Sequence, residues 1–446
     1  MTTSDHRSRE VLLTGMGFCL PGPKDAPTRT REEFWGTIAS GALHLRAEDS
    51  YFGIIDPPQQ QVRDAFPEVP DAHHASFGPV HYYALSATAT ALADAGLDHA
   101  AGDLAEAAVI SARGCTETWF DAYDEFTAGE RADLSPGEAM SLYLRYAVTT
   151  SVGDVANVQA ALIGSGGPCH TVSMGCSSGL TAIADAFRLI ADGSADVAVV
   201  TGAEHVAPDR YLRYDALRQR GDRADEEGVS LLPAGITFDS LSRPYDTRTT
   251  GLNLASGAVT LVLESREHAE RRGARVYARL AAQAHRRVPG GSALGGDMEG
   301  TAATRAAHWC LERAGLAPED IDYVQGGADG SNAEFSVIEA ATIRKILGDH
   351  AKGLPVSVQE ASFGHPYAAL SLIRTAATAL MIDRGEACPT AGVDQPVDVE
   401  LDLVLGDEPR PLDIRHALSL HYYLGSGAGA LLLSADRPAG DRPAGN

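Results

Sequence analysis

The chain has 446 residues, 44% of them hydrophobic, and a formal net charge of −24. That length can bury one large core or two fused ones, while the negative charge argues against a nucleic-acid partner. No run of about 18 uncharged apolar residues occurs and no basic-then-apolar segment opens the chain, so a soluble cytoplasmic protein is expected.

In chain order, Ala107–Ile110, Val197–Thr201 and Val259–Leu263 read as buried strands, and residues 85–96, 180–192, 301–314 and 366–383 read as helices. Their alternation predicts an α/β layered architecture. Residues 42–82 and 204–240 read as long, loop-rich and charged stretches, the second holding an acidic run over 221–228. In that second loop Arg210, Arg213, Arg218, Arg220 and Arg223 offer a basic landing site for an acidic partner, or else an ordinary solvated segment. The tandem Asp-Arg-Pro-Ala-Gly at 436–440 and 441–445 predicts a disordered tail.

Six cysteines, at 19, 115, 169, 176, 310 and 388, form no CxxC pair, which argues against a zinc site and a disulfide framework. No phosphate-cradling glycine loop or HExxH occurs either, so neither a metal nor a tightly bound organic cofactor is expected. Cys176 stands apart from the rest, in Thr171-Val172-Ser173-Met174-Gly175-Cys176-Ser177-Ser178-Gly179-Leu180. Small residues surround it where a β-branched run gives way to helical spacing at Leu180, Ile183, Ala184, Phe187 and Ile190. A thiol at the start of a helix feels the positive end of its dipole, which favours thiolate. Taken alone, the segment fits either a nucleophile or an inert core thiol.

Several blocks in order carry a resemblance: Val11-Leu12-Leu13-Thr14-Gly15-Met16-Gly17, Gly167 to Gly179, Ile190 to Glu204, Ser242-Arg243-Pro244-Tyr245-Asp246, Gly364-His365 and Pro389-Thr390-Ala391-Gly392-Val393. Over about residues 11–433 the chain resembles the β-ketoacyl synthase branch of the thiolase-fold condensing enzymes, of the type II polyketide or fatty-acid kind. The resemblance implies a thiolase-like fold of two similar halves in a five-layer αβαβα sandwich. The expected division is a flexible N-terminus (1–10), a half carrying the nucleophile (11–255), a second half (256–434) and the tail (435–446). It also implies that Cys176 takes an acyl group from the phosphopantetheine of an acyl carrier protein. A homodimer, or a heterodimer with another ketosynthase-like subunit, is expected around residues 108–118 and 160–172.

The departures from the family pattern matter most. Decarboxylative condensation uses a cysteine and two histidines, and the first histidine should follow the strand Tyr323-Val324-Gln325. Gly327 or Ala328 occupies its place, and neither has a side-chain donor. The second histidine is retained as His365. Glu360 stands where the family has a lysine, and Glu339 where that lysine's glutamate partner belongs. If these carboxylates face one another, one carboxyl is raised and the pair shares a proton, acting as a general acid or base in place of the lost histidine. An arginine filling the gap, or Glu360 turned outward, is the alternative. The catalytic candidates are therefore Cys176, His365, Glu360 and Glu339.

Tyr423, Gly425 and Asp329 are the substrate-binding candidates, with Gly425 in place of a gating phenylalanine and backbone N–H groups at Cys176 and near Tyr423–Gly425 as the oxyanion hole. The end of the chain, with the missing histidine, also resembles the chain-length factors that partner type II ketosynthases. Those subunits usually replace the cysteine that is retained here. Two functions remain open at this point: an acyltransferase that passes its acyl group to a second nucleophile without efficient malonyl decarboxylation, or a non-catalytic chain-length-factor-like subunit.

Overall fold

A computed structural model describes residues 9–23, 26–47, 51–114, 127–128, 133–150, 154–208, 240–293, 295–331 and 333–437. Its centre is an eleven-stranded mixed sheet. The strands are β1 (Val11–Cys19), β2 (Ala108–Ala112), β3 (Cys169–Val172), β4 (Val197–Glu204), β5 (Gly257–Ser265), β6 (Ala278–Arg287), β7 (Tyr323–Gln325), β8 (Pro355–Ser357), β9 (Asp402–Leu403), β10 (His416–Tyr423) and β11 (Gly427–Ser434). β1, β4 and β5 are buried along their whole length, as expected of runs covered on both faces.

The spatial order β1-β5-β4-β2-β3 recurs as β6-β11-β10-β7-β8, with β9 added at the outer edge. The pairing senses recur as well: β1 with β5 and β5 with β4 are antiparallel, β4 with β2 and β2 with β3 parallel. In the second half, β6 with β11 and β11 with β10 are antiparallel, β10 with β7 and β7 with β8 parallel. The two halves join where Val11–Leu13 lies antiparallel to Ala278–Leu280. The two halves thus repeat one topology, as the two similar halves implied by the resemblance would.

Helices complete the layers. α1 (Pro79–Ala95) and α2 (Asp154–Leu162) cover the first half of the sheet, and α4 (Thr301–Ala314) and α5 (Ala333–Leu347) cover the second. Between the halves lie α3 (Ser178–Ala191) and α6 (Leu370–Arg384). Every residue of α6 from Leu370 to Ile382 is buried, the condition of a helix enclosed on all sides. The predicted helices over 85–96, 180–192, 301–314 and 366–383 correspond to α1, α3, α4 and α6, with ends shifted by capping and by a 3-10 turn before α6.

β5 pairs between β1 and β4, so the strands of the first half run on to Ser265. The loop-rich stretch 42–82 holds two short strands, two short helices and the start of α1. Arg9 and Asp436, near the two ends of the described residues, are each held by an ion pair. Arg9 donates to the Ile190 carbonyl at 2.9 Å and to Asp196 at 2.7 Å, and Asp436 pairs with Arg266. The expected arginine landing site between 210 and 223, Cys115, and the tail beyond 437 lie outside the described residues.

Candidate active site

The nucleophile loop and the histidine loop meet at the ends of the two central helices. Cys176 sits two residues before the first residue of α3, after Gly175 at φ +58°. The Ser178 hydroxyl ties the loop together: it accepts from Met174 N–H at 2.7 Å and lies 2.9 Å from the Arg113 carbonyl. Cys176 is half-buried, whereas burial pushes the thiols of Cys19 and Cys310 up to about 12 and raises Cys388 as well.

His365 is fixed by its backbone. Its N–H donates to the Asn253 carbonyl at 2.6 Å, and its own carbonyl accepts from Ala255 N–H at 3.2 Å. Gly364 enables this approach at φ +87°, since a Cβ there would lie 2.7 Å from the Asn253 oxygen. The following turn presses its Ala368 carbonyl against Gly202 and Gly179, where any Cβ would stand within 2.5 Å of that oxygen. Close layers thus carry His365 to the thiol.

His365 Nε2 lies 3.1 Å from Cys176 Sγ, and His365 Nδ1 lies 3.3 Å from Glu360 Oε1. The other Glu360 oxygen is paired with Arg374 of α6. Arg374, 1% exposed, also donates to the carbonyls of Gly327 at 3.0 Å and Leu420 at 3.4 Å. Burial opposes charge on both neighbours, but their partners prevail. The Cys176 sulfur and Glu360 hold His365 well above its usual pKa, and Arg374 with His365 holds Glu360 below the usual carboxylate value.

The shared-proton pair of Glu339 and Glu360 does not form. Glu339, buried on α5, accepts from the Tyr245 hydroxyl at 2.6 Å, Gly327 N–H at 2.5 Å and Ala328 N–H at 2.9 Å. Burial pushes its carboxyl up despite these donors. Each carboxylate has its own partners, and the arginine between them removes the repulsion that a shared proton would relieve.

Of the two candidate places for the missing histidine, Ala328 carries only a methyl group and Gly327 is crowded. A Cβ built on Gly327 would stand 2.7 Å from the Tyr422 ring and 2.6 Å from the Leu420 carbonyl. The expected oxyanion hole also differs, because Gly425 N–H and Ser426 N–H both donate to the Gly295 carbonyl, at 2.9 and 2.6 Å. The Gly425 N–H is thereby occupied; its carbonyl accepts from Arg287 at 2.7 Å. Tyr423 is half-buried with its hydroxyl 3.4 Å from the Arg286 carbonyl. Asp329 serves its own loop, accepting from Ser331 N–H at 2.9 Å while its carbonyl accepts from the Ser242 hydroxyl at 2.7 Å. Hydrogen bonds therefore unite Cys176, His365 and Glu360, and through Arg374 and Gly327 they reach Glu339. None of these recorded bonds draws Tyr423, Gly425 or Asp329 to the thiol.

Sequence reasoning missed Arg374, Tyr245 and Tyr422. A signal for Arg374 was present: it is the one charged residue between Leu370 and Ile382 in an otherwise apolar and small-residue helix.

Known proteins resemble this chain over nearly its whole length. The chain is 31% identical over 444 residues to a protein of Streptomyces halstedii named putative polyketide beta-ketoacyl synthase 1, covering 96% of this chain and 98% of that one. It is 30% identical over 462 residues to the protein of the same name from Streptomyces cyaneus, covering 97% and 99%. Among solved structures, the ishigamide ketosynthase/chain length factor superposes with a TM-score of 0.77 at 21% identity, over 96% of this chain and all of that one. The ketosynthase AntDE, in complex with its acyl-carrier protein AntF, gives a TM-score of 0.76 at 22% identity with the same coverage. The sequence profile of the beta-ketoacyl synthase N-terminal domain matches residues 8–269 and that of the C-terminal domain residues 289–394, so the chain belongs to the beta-ketoacyl synthase family.

Proposed function

We propose that this ketosynthase-like protein of polyketide biosynthesis is an acyltransferase with a modified site. It takes an acyl group from the phosphopantetheine of an acyl carrier protein onto Cys176 and passes it to a second nucleophile without efficient malonyl decarboxylation. One observation carries the reading: Cys176 and His365 are 3.1 Å apart, while the place of the first histidine falls to Gly327, packed under the Tyr422 ring, or to Ala328, and neither has a side-chain donor.

The steps follow from these residues. The Cys176 sulfur attacks the incoming thioester carbonyl, forming an S–C bond and releasing the pantetheine thiol, which takes up the proton held by His365. The acyl-cysteine is then attacked by an oxygen, nitrogen or carbon nucleophile; the S–C bond breaks, the Cys176 thiolate leaves, and His365 accepts the nucleophile's proton to restore the starting pair. Glu360 stabilises the imidazolium that forms. Losing one donor aimed at the anion that decarboxylation generates costs on the order of 100- to 1000-fold. The reading therefore separates loading from decarboxylation.

The alternative, a chain-length-factor-like subunit without catalysis, draws support from the occupied Gly425 N–H and the missing histidine. Either role is compatible with a dimer through β3, which ends the sheet and is exposed to half-exposed along its length. The test is intact-protein mass measurement after incubation with acylated carrier protein. The acyl mass should appear on the wild type and vanish in Cys176→Ala; equal labelling of the alanine variant removes the acyltransferase reading.

A further inference from the structure

We propose that Arg374 is a positioning residue which, acting through Glu360, completes a thiol–imidazole–carboxylate relay of Cys176, His365 and Glu360. The proposal concerns residues used by the acyl-transfer reading above, but its geometry is independent of carrier protein and acceptor. Glu360 lies on a one-turn 3-10 helix, and a free carboxylate there would face two choices in a buried site: take up a proton or turn away. The Arg374 guanidinium allows neither. It takes one Glu360 oxygen, and its contacts to the carbonyls of Gly327, just after β7, and Leu420, within β10, fix its own position. The remaining Glu360 oxygen is thereby presented to His365 Nδ1, which leaves Nε2 directed at Cys176. A guanidinium suits this because its fork serves several acceptors at once.

The other groups around the relay do not duplicate this function. Tyr367 places its ring edge-on to His365 at 5.3 Å. Glu339 is committed to Tyr245 and to backbone N–H groups on the far side of Gly327. His421, buried on β10 with its Nε2 3.0 Å from the Ser419 hydroxyl, is held well below its usual value by burial and by Arg374. Tyr422 is kept neutral by burial and by the Glu339 charge. Among the described groups, only Arg374 supplies positive charge to Glu360 besides His365 itself.

The test is the pH profile of Cys176 alkylation by iodoacetamide in the full-length protein, read by peptide mass spectrometry. Alkylation follows the thiolate, which the imidazolium supports only while Glu360 is ionised and aimed at it. Arg374→Met should move the onset upward by about one pH unit, a roughly tenfold slower rate at the wild-type midpoint. Arg374→Lys, which keeps the charge, should retain most of the wild-type profile. Glu360→Gln should shift the profile as Arg374→Met does, and the double variant should shift no further than either alone. That double variant removes both buried charges, so it guards against failure of Arg374→Met to fold. An unshifted profile in Arg374→Met, an equal shift in Arg374→Lys, or additive shifts in the double variant would each overturn the proposal. Because alkylation needs no carrier protein, an absence of acyl loading with these shifts intact would refute the acyl-transfer reading and leave the relay standing.

Discussion

At the scale of single residues, the proposed difference from an ordinary condensing enzyme lies at one of two histidine positions, since the second histidine is retained as His365. His365 is held between a sulfur and a carboxylate, so it can move a proton at the thiol. Nothing equivalent stands at Gly327, where the space is taken by Tyr422. Restoring the histidine alone should therefore fail: Gly327→His should give no gain in carbon dioxide release from malonyl-carrier protein and should lower stability through overpacking by about 1–3 kcal/mol. Gly327→His with Tyr422→Ser should remove the contact with the ring but not that with the Leu420 carbonyl, and so recover only part of the stability, measured by denaturant titration. A stable single variant with restored decarboxylation would show that the ring is not an obstacle. Cys176, His365 and Glu360 were legible as motif positions, because each is fixed by a short local segment. The partner of Glu360 was not, since Arg374 lies on another element and reaches it only through the packing of α6 beneath the loop.

At the scale of elements, α6 carries a full charge through the centre of the molecule. Removing one member of a buried pair leaves the other uncompensated, so Arg374→Ala should cost about 3–5 kcal/mol in urea unfolding. Pairing Arg374→Met with Glu360→Gln should recover most of that loss. A loss below about 1 kcal/mol for Arg374→Ala would mean that water reaches Glu360 and that the pair is not dry. β3 makes a separate prediction. As the terminal strand of the sheet it offers unpaired backbone groups, and a dimer is the simplest way to satisfy them. Light scattering at micromolar concentration should give a dimer for the protein alone or with a ketosynthase partner subunit, and a monomer in both experiments would contradict it.

At the scale of the whole molecule, two copies of one strand order enclose a buried helical layer, and the reactive residues sit where the loops of the two copies converge. The layered α/β class was readable from alternating apolar runs such as Val197–Thr201 and from helical spacing after Cys176. The duplication was legible only through the family resemblance, because the two halves repeat in topology while β1 and β6 share little in sequence. The assignment of β5 to the first half likewise depends on pairing across more than two hundred residues, from Leu12 to Glu264. Loop composition hid the short helices before α1, whose boundaries are set by packing more than by local signals.

The proposed separation of loading from decarboxylation is open to a direct test. The most direct measurement follows both in one reaction series: acyl mass on Cys176 from acylated carrier protein, and labelled carbon dioxide released from malonyl-carrier protein by the same preparation. Loading should be readily observed and lost in Cys176→Ala, while carbon dioxide release falls on the order of 100- to 1000-fold below that of a ketosynthase with both histidines. Release at the rate of such an enzyme would contradict the account and return the chain to ordinary decarboxylative condensation.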